Sequence, residues 1–524
     1  MWHIKKTIFA VLVCACLALT SLTACDSANN SASIDENTSP QISTEDSLST
    51  DDSQTDASSP DDSSWADIEP SWEEDDLPES DGLRYTLSQD KSSYAVSGIG
   101  TCKDKTIVIP KTHNDLPVTA IAENAFWDKF EIVGVQIPDT VTFIGKEAFW
   151  NCTSLEKVII PDSVTEIAER AFQCCIRLQG IKMGKGVQTL GALALNNCPA
   201  LTYIRVNEGN ICFESIDGNL YNQEKTTLIQ YAIGKKAPTF ALPDSITEVA
   251  DYALHKAVNL HAITFNEKLE KIGAHAFDEC AALTEQIQLP STLTTIADYA
   301  FANCKALTGE LILPSSLLEI GASAFSECIN LTDELTIPAS VKKLGKAAFY
   351  KCRKFTGLNI QASLTDIQEY AFYMCYNIKG ALKIPDSVTK IAANAFGWCY
   401  ELTSLILGSS VNTIGESAFY YCTKLQGKLT IPSSVTRIET SAFSFCESIN
   451  ELEIGAGVKN IHISAFSDCD ALAAVRFANP NGWSCAKEND FSGSIALSAE
   501  DLQNPEKAAL FLKQNYTAYY WKKS

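Results

Sequence analysis

The phrase SAFSEC, Ser323–Cys328, returns along this chain with its Ala, Phe and Cys in fixed phase. With the Phe as origin, the units centre on Phe126, Phe149, Phe172, Leu195, Leu254, Phe277, Phe301, Phe325, Phe349, Phe372, Phe396, Phe419, Phe443 and Phe466. Apart from one long gap, the spacing is 23 or 24 residues. Five residues before each origin stands Ile, Leu or Val, as in Ile144, Ile167 and Ile320, and eight before stands another, as in Val141, Val164 and Leu317. Neither position has an exception. Six after the origin comes a further apolar residue, followed by an alternating run such as TDELTIP, Thr332–Pro338. So short a unit cannot close a core alone, and it buries its inner face only by stacking on its neighbours. The fixed period therefore predicts a solenoid.

The same phase accounts for most of the cysteines. Cys152, Cys175, Cys198, Cys280, Cys304, Cys328, Cys352, Cys375, Cys399, Cys422, Cys446 and Cys469 all lie three residues after an origin. Coils stacked about 4.8 Å apart would align them as a ladder. A small, readily buried side chain with a weak donor suits such a site. Adjacent rungs are close enough for a disulfide, although parallel side-chain vectors disfavour the dihedral it needs. Sulfurs in a row do not converge on a tetrahedral point for a metal. Packing, disulfides and metal all remain open, with packing the expectation; so many thiols in an exported chain also suit a reducing habitat.

The pattern IPDSVTEIAERAFQCCIRL, Ile160–Leu178, resembles the BspA-type leucine-rich repeat of bacterial surface proteins, and the resemblance covers roughly residues 83–477. It implies a leucine-rich-repeat solenoid of stacked parallel β coils with short helical or irregular turns. It also implies adhesion to host matrix glycoproteins or to other bacteria. A parallel β-helix is the competing fold.

Flanking segments frame the repeat. Residues 1–25 have Lys5 and Lys6, an apolar run TIFAVLVCACLAL and then LTAC, the layout of a secretory signal. LTAC, Leu22–Cys25, resembles a bacterial lipobox, which implies diacylglycerol on Cys25 and a membrane anchor without a transmembrane helix. Residues 26–82 hold 18 of the 64 carboxylates and no Lys or Arg, a composition expected to stay a disordered acidic Ser/Asp-rich tether. Most of the net charge of −23 thus belongs to a spacer. Residues 83–117 read as an N-terminal cap, 118–479 as the solenoid and 480–524 as a C-terminal cap with a helical run from Glu506 to Gln514. The long gap, at about 207–251, contains Asp217-Gly218 between alternating runs, which predicts a β-hairpin bulging from one coil.

The search for chemistry returns little. HExxH, G-x-S-x-G, G-x-x-x-x-G-K-[ST] and GxGxxG are all absent. Histidines His255, His261, His275 and His462 occupy unrelated phases, so no catalytic, metal or cofactor site is expected. An exported acidic chain without a basic stripe does not suit nucleic acid. What remains is a face. Strand alternation turns Lys157, Lys182, Tyr203, Arg205, Gln286, Gln288, Glu310, Glu334, Thr336, Asn359, Lys383, Lys428, Glu451, Glu453 and Arg476 outward. The expected function is a lipid-anchored surface protein that presents this face to host or bacterial surface proteins or glycoproteins. A structural spacer without a ligand is the alternative, and an enzyme a distant third.

Overall fold

The computed structural model describes residues 77–524; the signal segment, Cys25 and most of the tether lie outside the described residues. The described chain winds as a parallel β-solenoid with little helix. The coil of Phe172 shows why these residues do so. Val164, Ile167, Phe172, Cys175 and Leu178 are all fully buried, so the positions eight and five before the origin, the origin itself, and three and six after it point to one axis. Two strands frame this coil, Glu166–Ile167 and Gly180–Met183. Each pairs in parallel with its copy in the next coil, Glu166 opposite Thr189 and Gly180 opposite Tyr203. Equivalent residues therefore stack in columns.

Between the two strands the Ala-Phe segment makes a third wall, which is neither helical nor irregular. In the coil of Phe325, the N–H groups of Ser323, Phe325 and Glu327 donate at 2.8 Å to the carbonyls of Lys346, Ala348 and Tyr350 in the next coil. Aiming alternate amides at one neighbour requires a turn at each side of the origin, and Ser323 (φ 53°) and Glu327 (φ 61°) supply it in the left-handed region. Both positions are left-handed in all fourteen coils, never with glycine and with asparagine only at Asn124, Asn151, Asn197, Asn303 and Asn394 to ease the cost of roughly 1–2 kcal/mol each. Strained residues usually mark a functional site. Here every coil repeats them, so they belong to the scaffold.

Ala before the origin leaves room for the ring that follows. From Phe277 to Phe466 nine phenylalanines stack without a break, for example Phe301 on Phe325 at 5.3 Å between centroids and Phe325 on Phe349 at 5.5 Å, with ring planes within 6°. Before the insertion only Phe126, Phe149 and Phe172 do so, at 5.1 Å. Leu195 and Leu254 interrupt the column.

The interruption is structural. Phe213–Ile216 and Asn219–Asn222 form an antiparallel hairpin across Asp217-Gly218, and Thr227–Gln230 continues it before joining the parallel wall at Glu248–Val249. The hairpin does not bulge outward as expected; its alternation is apolar on both faces, so burial draws it across the axis. Leu220 enters the core shared by residues 83–232, whereas Tyr221, its neighbour on the strand, enters the core that runs on to Trp521. Both are fully buried. The insertion is a septum, and the described residues form two hydrophobic cores.

Both ends are closed by antiparallel strands. Arg84–Leu87 and Tyr94–Gly98 pair at the start. At the end, Asn504 accepts from Lys507 N (3.0 Å) to cap the helix Pro505–Leu510, which widens into a π turn at Phe511–Asn515. Tyr520–Lys523 then covers the exposed edge at Asn460–Ile461. No helix among the described residues is long and apolar enough to cross a membrane.

Candidate binding surfaces

None of the outward strand residues expected from alternation is buried. Before the septum their wall is one five-stranded sheet, and beyond it the wall divides into sheets of two or three strands. Gln286 and Gln288 fall outside any strand, and Gln286 Nε2 instead donates to the Glu310 carbonyl at 2.8 Å. On the first sheet Lys182 lies beside Arg205, and the Tyr203 ring lies across Gly180. A Cβ there would come within 1.9 Å of that ring, so glycine is what lets the tyrosine lie flat. Among the described residues no ion pair reaches Lys157 or Lys182. At the far end the charges satisfy one another. Lys428 reaches Glu453 at 3.0 Å and Arg476 reaches Glu451 at 3.1 Å. The Lys428 ammonium beside Glu453 holds that carboxyl below its usual range. Exposed pairs of this kind contribute about 0–1 kcal/mol.

A second surface, missed by the strand-based reading, lies on the third wall. One residue after the origin stand Tyr350, Tyr373 and Tyr420; two after stand Trp398, Tyr421 and Phe445; four after stand Tyr376 and Tyr400. The columns bring them into one patch. Trp398 stacks on Tyr421 at 4.5 Å, Tyr421 on Phe445 at 4.4 Å, Tyr376 on Tyr400 at 5.2 Å and Tyr350 on Tyr373 at 5.7 Å. Gly397 makes room for Tyr373, whose ring a Cβ would approach to 2.9 Å. Lys351 lies over Tyr350 at 4.9 Å and Arg353 over Tyr376 at 5.6 Å. Apart from Tyr373, the rings of the patch are only partly buried. Reading the residues just after each origin as columns of their own would have found it in the sequence.

The cysteine ladder faces inward. All twelve thiols are free and buried. Each donates to the carbonyl of the origin residue one coil earlier, for example Cys328 Sγ to Phe301 O at 3.0 Å and Cys469 Sγ to Phe443 O at 3.3 Å. That contact joins neighbouring coils where no backbone amide is left to do so, which explains why a small donor recurs. Burial pushes Cys152, Cys198, Cys422 and Cys469 up to about 12, and raises the rest of the ladder too. These are inert thiols.

Histidine phases that look unrelated in sequence do converge on the third wall. His255 and Asp278 are each one residue after an origin in adjacent coils, Glu279 is two after, and His275 two before. Ligand atoms of His255, Asp278 and Glu279 lie within 4.8 Å of one another. Burial holds the His255 imidazole down to about 4, so it is neutral at pH 7. His261 and His462 stand apart, His462 Nδ1 pairing with Glu439 at 2.9 Å.

Comparison with known proteins agrees with this architecture. A family model described as BspA type Leucine rich repeat region (6 copies) matches residues 119–236, 231–354, 308–426 and 380–498. No curated protein matches. A leucine-rich repeat protein from Bacteroides ovatus is 25% identical, with 77% of this chain and 94% of that one covered and a TM-score of 0.48. A leucine rich cell surface protein from Faecalibacterium prausnitzii is 23% identical, covering 77% and 96% at a TM-score of 0.39. The pneumococcal vaccine antigen PcpA is 22% identical over 69% of this chain and 93% of its own, at a TM-score of 0.34. Solenoids of this family are typically non-enzymatic binding proteins. With the family model spanning more than half its length, and with every repeat position placed on the coil as that repeat requires, the chain belongs to the BspA-type leucine-rich-repeat family.

Proposed function

We propose that this protein is an exported, lipid-anchored surface protein whose solenoid binds proteins or glycoproteins of host matrix or of other cells. Acylated Cys25 is the anchor and the acidic tether lifts the solenoid from the membrane. The observation that carries the binding reading is the aromatic patch of Tyr350, Tyr376, Trp398, Tyr400, Tyr421 and Phe445 on the third wall. Binding hot spots favour Trp, Tyr and Arg, and rings already stacked lose little conformational freedom when a partner covers them. The strand face of Lys157, Lys182, Tyr203 and Arg205 is the second surface offered to partners.

The test immobilises the full chain and screens matrix glycoproteins and whole bacterial cells for saturable binding. Tyr400→Ser with Trp398→Ser should weaken capture at least tenfold, with the circular dichroism spectrum unchanged. No saturable binding to any of these surfaces favours a spacer without a ligand. Anchoring is tested apart: Cys25→Ala should abolish acyl labelling and release the protein to the medium, and retention on the membrane contradicts it.

A further inference from the structure

We propose that His255, Asp278 and Glu279 form a site for one divalent transition-metal ion, with zinc and manganese as the ions the donors fit. One imidazole nitrogen and two carboxylate oxygens are a mixed donor set of the borderline-to-hard kind those ions take, with open positions left for water. The site lies on neighbouring coils whose register is fixed by the backbone. Leu254 N donates to Ala276 O at 2.8 Å and Lys256 N to Asp278 O at 2.9 Å, on either side of His255. The bearing segments are thus rigid before any ion arrives.

Geometry leaves little to adjust. Three donors each about 2.1 Å from a shared ion lie about 3.4 Å from one another in a tetrahedral arrangement. The present separations are all within 4.8 Å. A supporting shell is already in place. His275 Nδ1 meets one Asp278 oxygen at 2.8 Å, and Asn303 Nδ2 donates to the other at 3.1 Å. His275 is itself clamped between Tyr252 and Tyr299, at 4.6 Å from each ring. Asn196 Nδ2 lies 3.1 Å from His255 Nδ1, so the ring proton sits on Nε2, the nitrogen turned toward Glu279. Metal binding at Nε2 places that proton on Nδ1, where the Asn196 amide accepts it after rotating. Partners of this kind orient metal-ligating histidines.

Charge points the same way. Asp278 is buried, and among the described residues no Lys or Arg pairs with it. Lys256 sits 3.5 Å from Glu279. The partners of Asp278 are His275 at 2.8 Å and the Asn303 amide, and a divalent ion would add positive charge beside this buried carboxylate. The place also lacks a contact found elsewhere in the fold. In this coil the origin is Leu254, so no origin ring stacks on Phe277 from this side, although Cys280 Sγ still donates to Leu254 O at 3.2 Å. An ion bridging the coils of Leu254 and Phe277 would fasten the first coil after the septum.

The test strips the full chain with a chelator, adds zinc or manganese, dialyses and measures bound metal by mass spectrometry. One saturable equivalent is expected, along with a metal-dependent rise in melting temperature. Glu279→Gln, at an exposed position that leaves the fold intact, should weaken binding at least tenfold and remove the rise. Lys256→Met should tighten binding, an effect that loss of a purely structural contact would not produce. Cobalt in place of zinc should give a spectrum without thiolate charge transfer. Absence of a saturable equivalent, indifference to Glu279→Gln, or a thiolate band from cobalt overturns the assignment.

Discussion

The four coils before the septum and the ten after it are written in one repeat, yet they are built to different standards. In the first block three phenylalanines and three ladder thiols stack; in the second, nine of each. The first block instead has the continuous five-stranded wall with Lys157, Lys182 and Arg205 on it, while the second has broken strand sheets and carries the aromatic patch on its turns. In a nearest-neighbour array, stability grows with the number and quality of interfaces between coils. The difference teaches that one repeat can separate tasks: a long, well-stacked block supplies rigidity to an aromatic surface, and a short block presents a charged sheet. The septum lets them differ, because Leu220 and Tyr221 send one strand's side chains into two cores.

Alkaline titration should separate the blocks most strongly. Burial holds Cys422 and Cys469 at about 12 in the folded chain, against about 8.5 for a free thiol. A pKa raised by folding contributes stability that is whole below about pH 8.5 and lost as pH rises toward 12. Each thiol then removes about 1.4 kcal/mol per pH unit. With nine ladder thiols against three, the second block should lose stability about three times as steeply, as hydrogen exchange of each block between pH 8 and 11 would reveal. Equal slopes would remove the thiols from the comparison.

Phe325→Ala should cost about 3–5 kcal/mol, since a ring stacked on both Phe301 and Phe349 leaves a cavity between coils. Exchange should quicken around Cys304–Cys352 and stay unchanged around Phe149. Leu220→Ala should cost about 2–5 kcal/mol in the first block alone, and Tyr221→Ala should act in the second alone. Loss on both sides from either change would mean that the septum couples the cores. The smallest effect belongs to the ladder. Cys328→Ala should cost about 1 kcal/mol in a urea melt by deleting a thiol bond to Phe301 O, and Cys328→Ser less, because a hydroxyl can donate to the same carbonyl.

Much of the core could be read directly from the sequence. Val164, Ile167, Phe172, Cys175 and Leu178 were marked by phase alone, since burial at fixed positions leaves an apolar period. The turn geometry left no such mark. Arg170, Cys174, Ser323, Glu327, Tyr370 and Met374 all adopt the left-handed region because the amides of the next coil demand it, whatever the side chain. The hairpin turn at Asp217-Gly218 was legible from its residues, but the hairpin's path across the axis was not; the clue was an alternating strand with Leu220 and Tyr221 apolar on opposite faces. His255 and His275 look scattered in sequence because their phases differ when compared one residue at a time. The turn folds positions two before and one after the origin toward each other, and stacking brings the next coil's copies alongside.

Hydrogen exchange of the full chain across a urea series, read by mass spectrometry, tests the division most directly. Two cooperative units should appear, meeting between Phe213 and Asn222, with amides around Phe149 and Phe172 opening at lower urea than those around Phe325 and Phe349. A single unit, opening at one urea concentration from Val96 to Phe466, would show that the two cores fold as one and would contradict the septum.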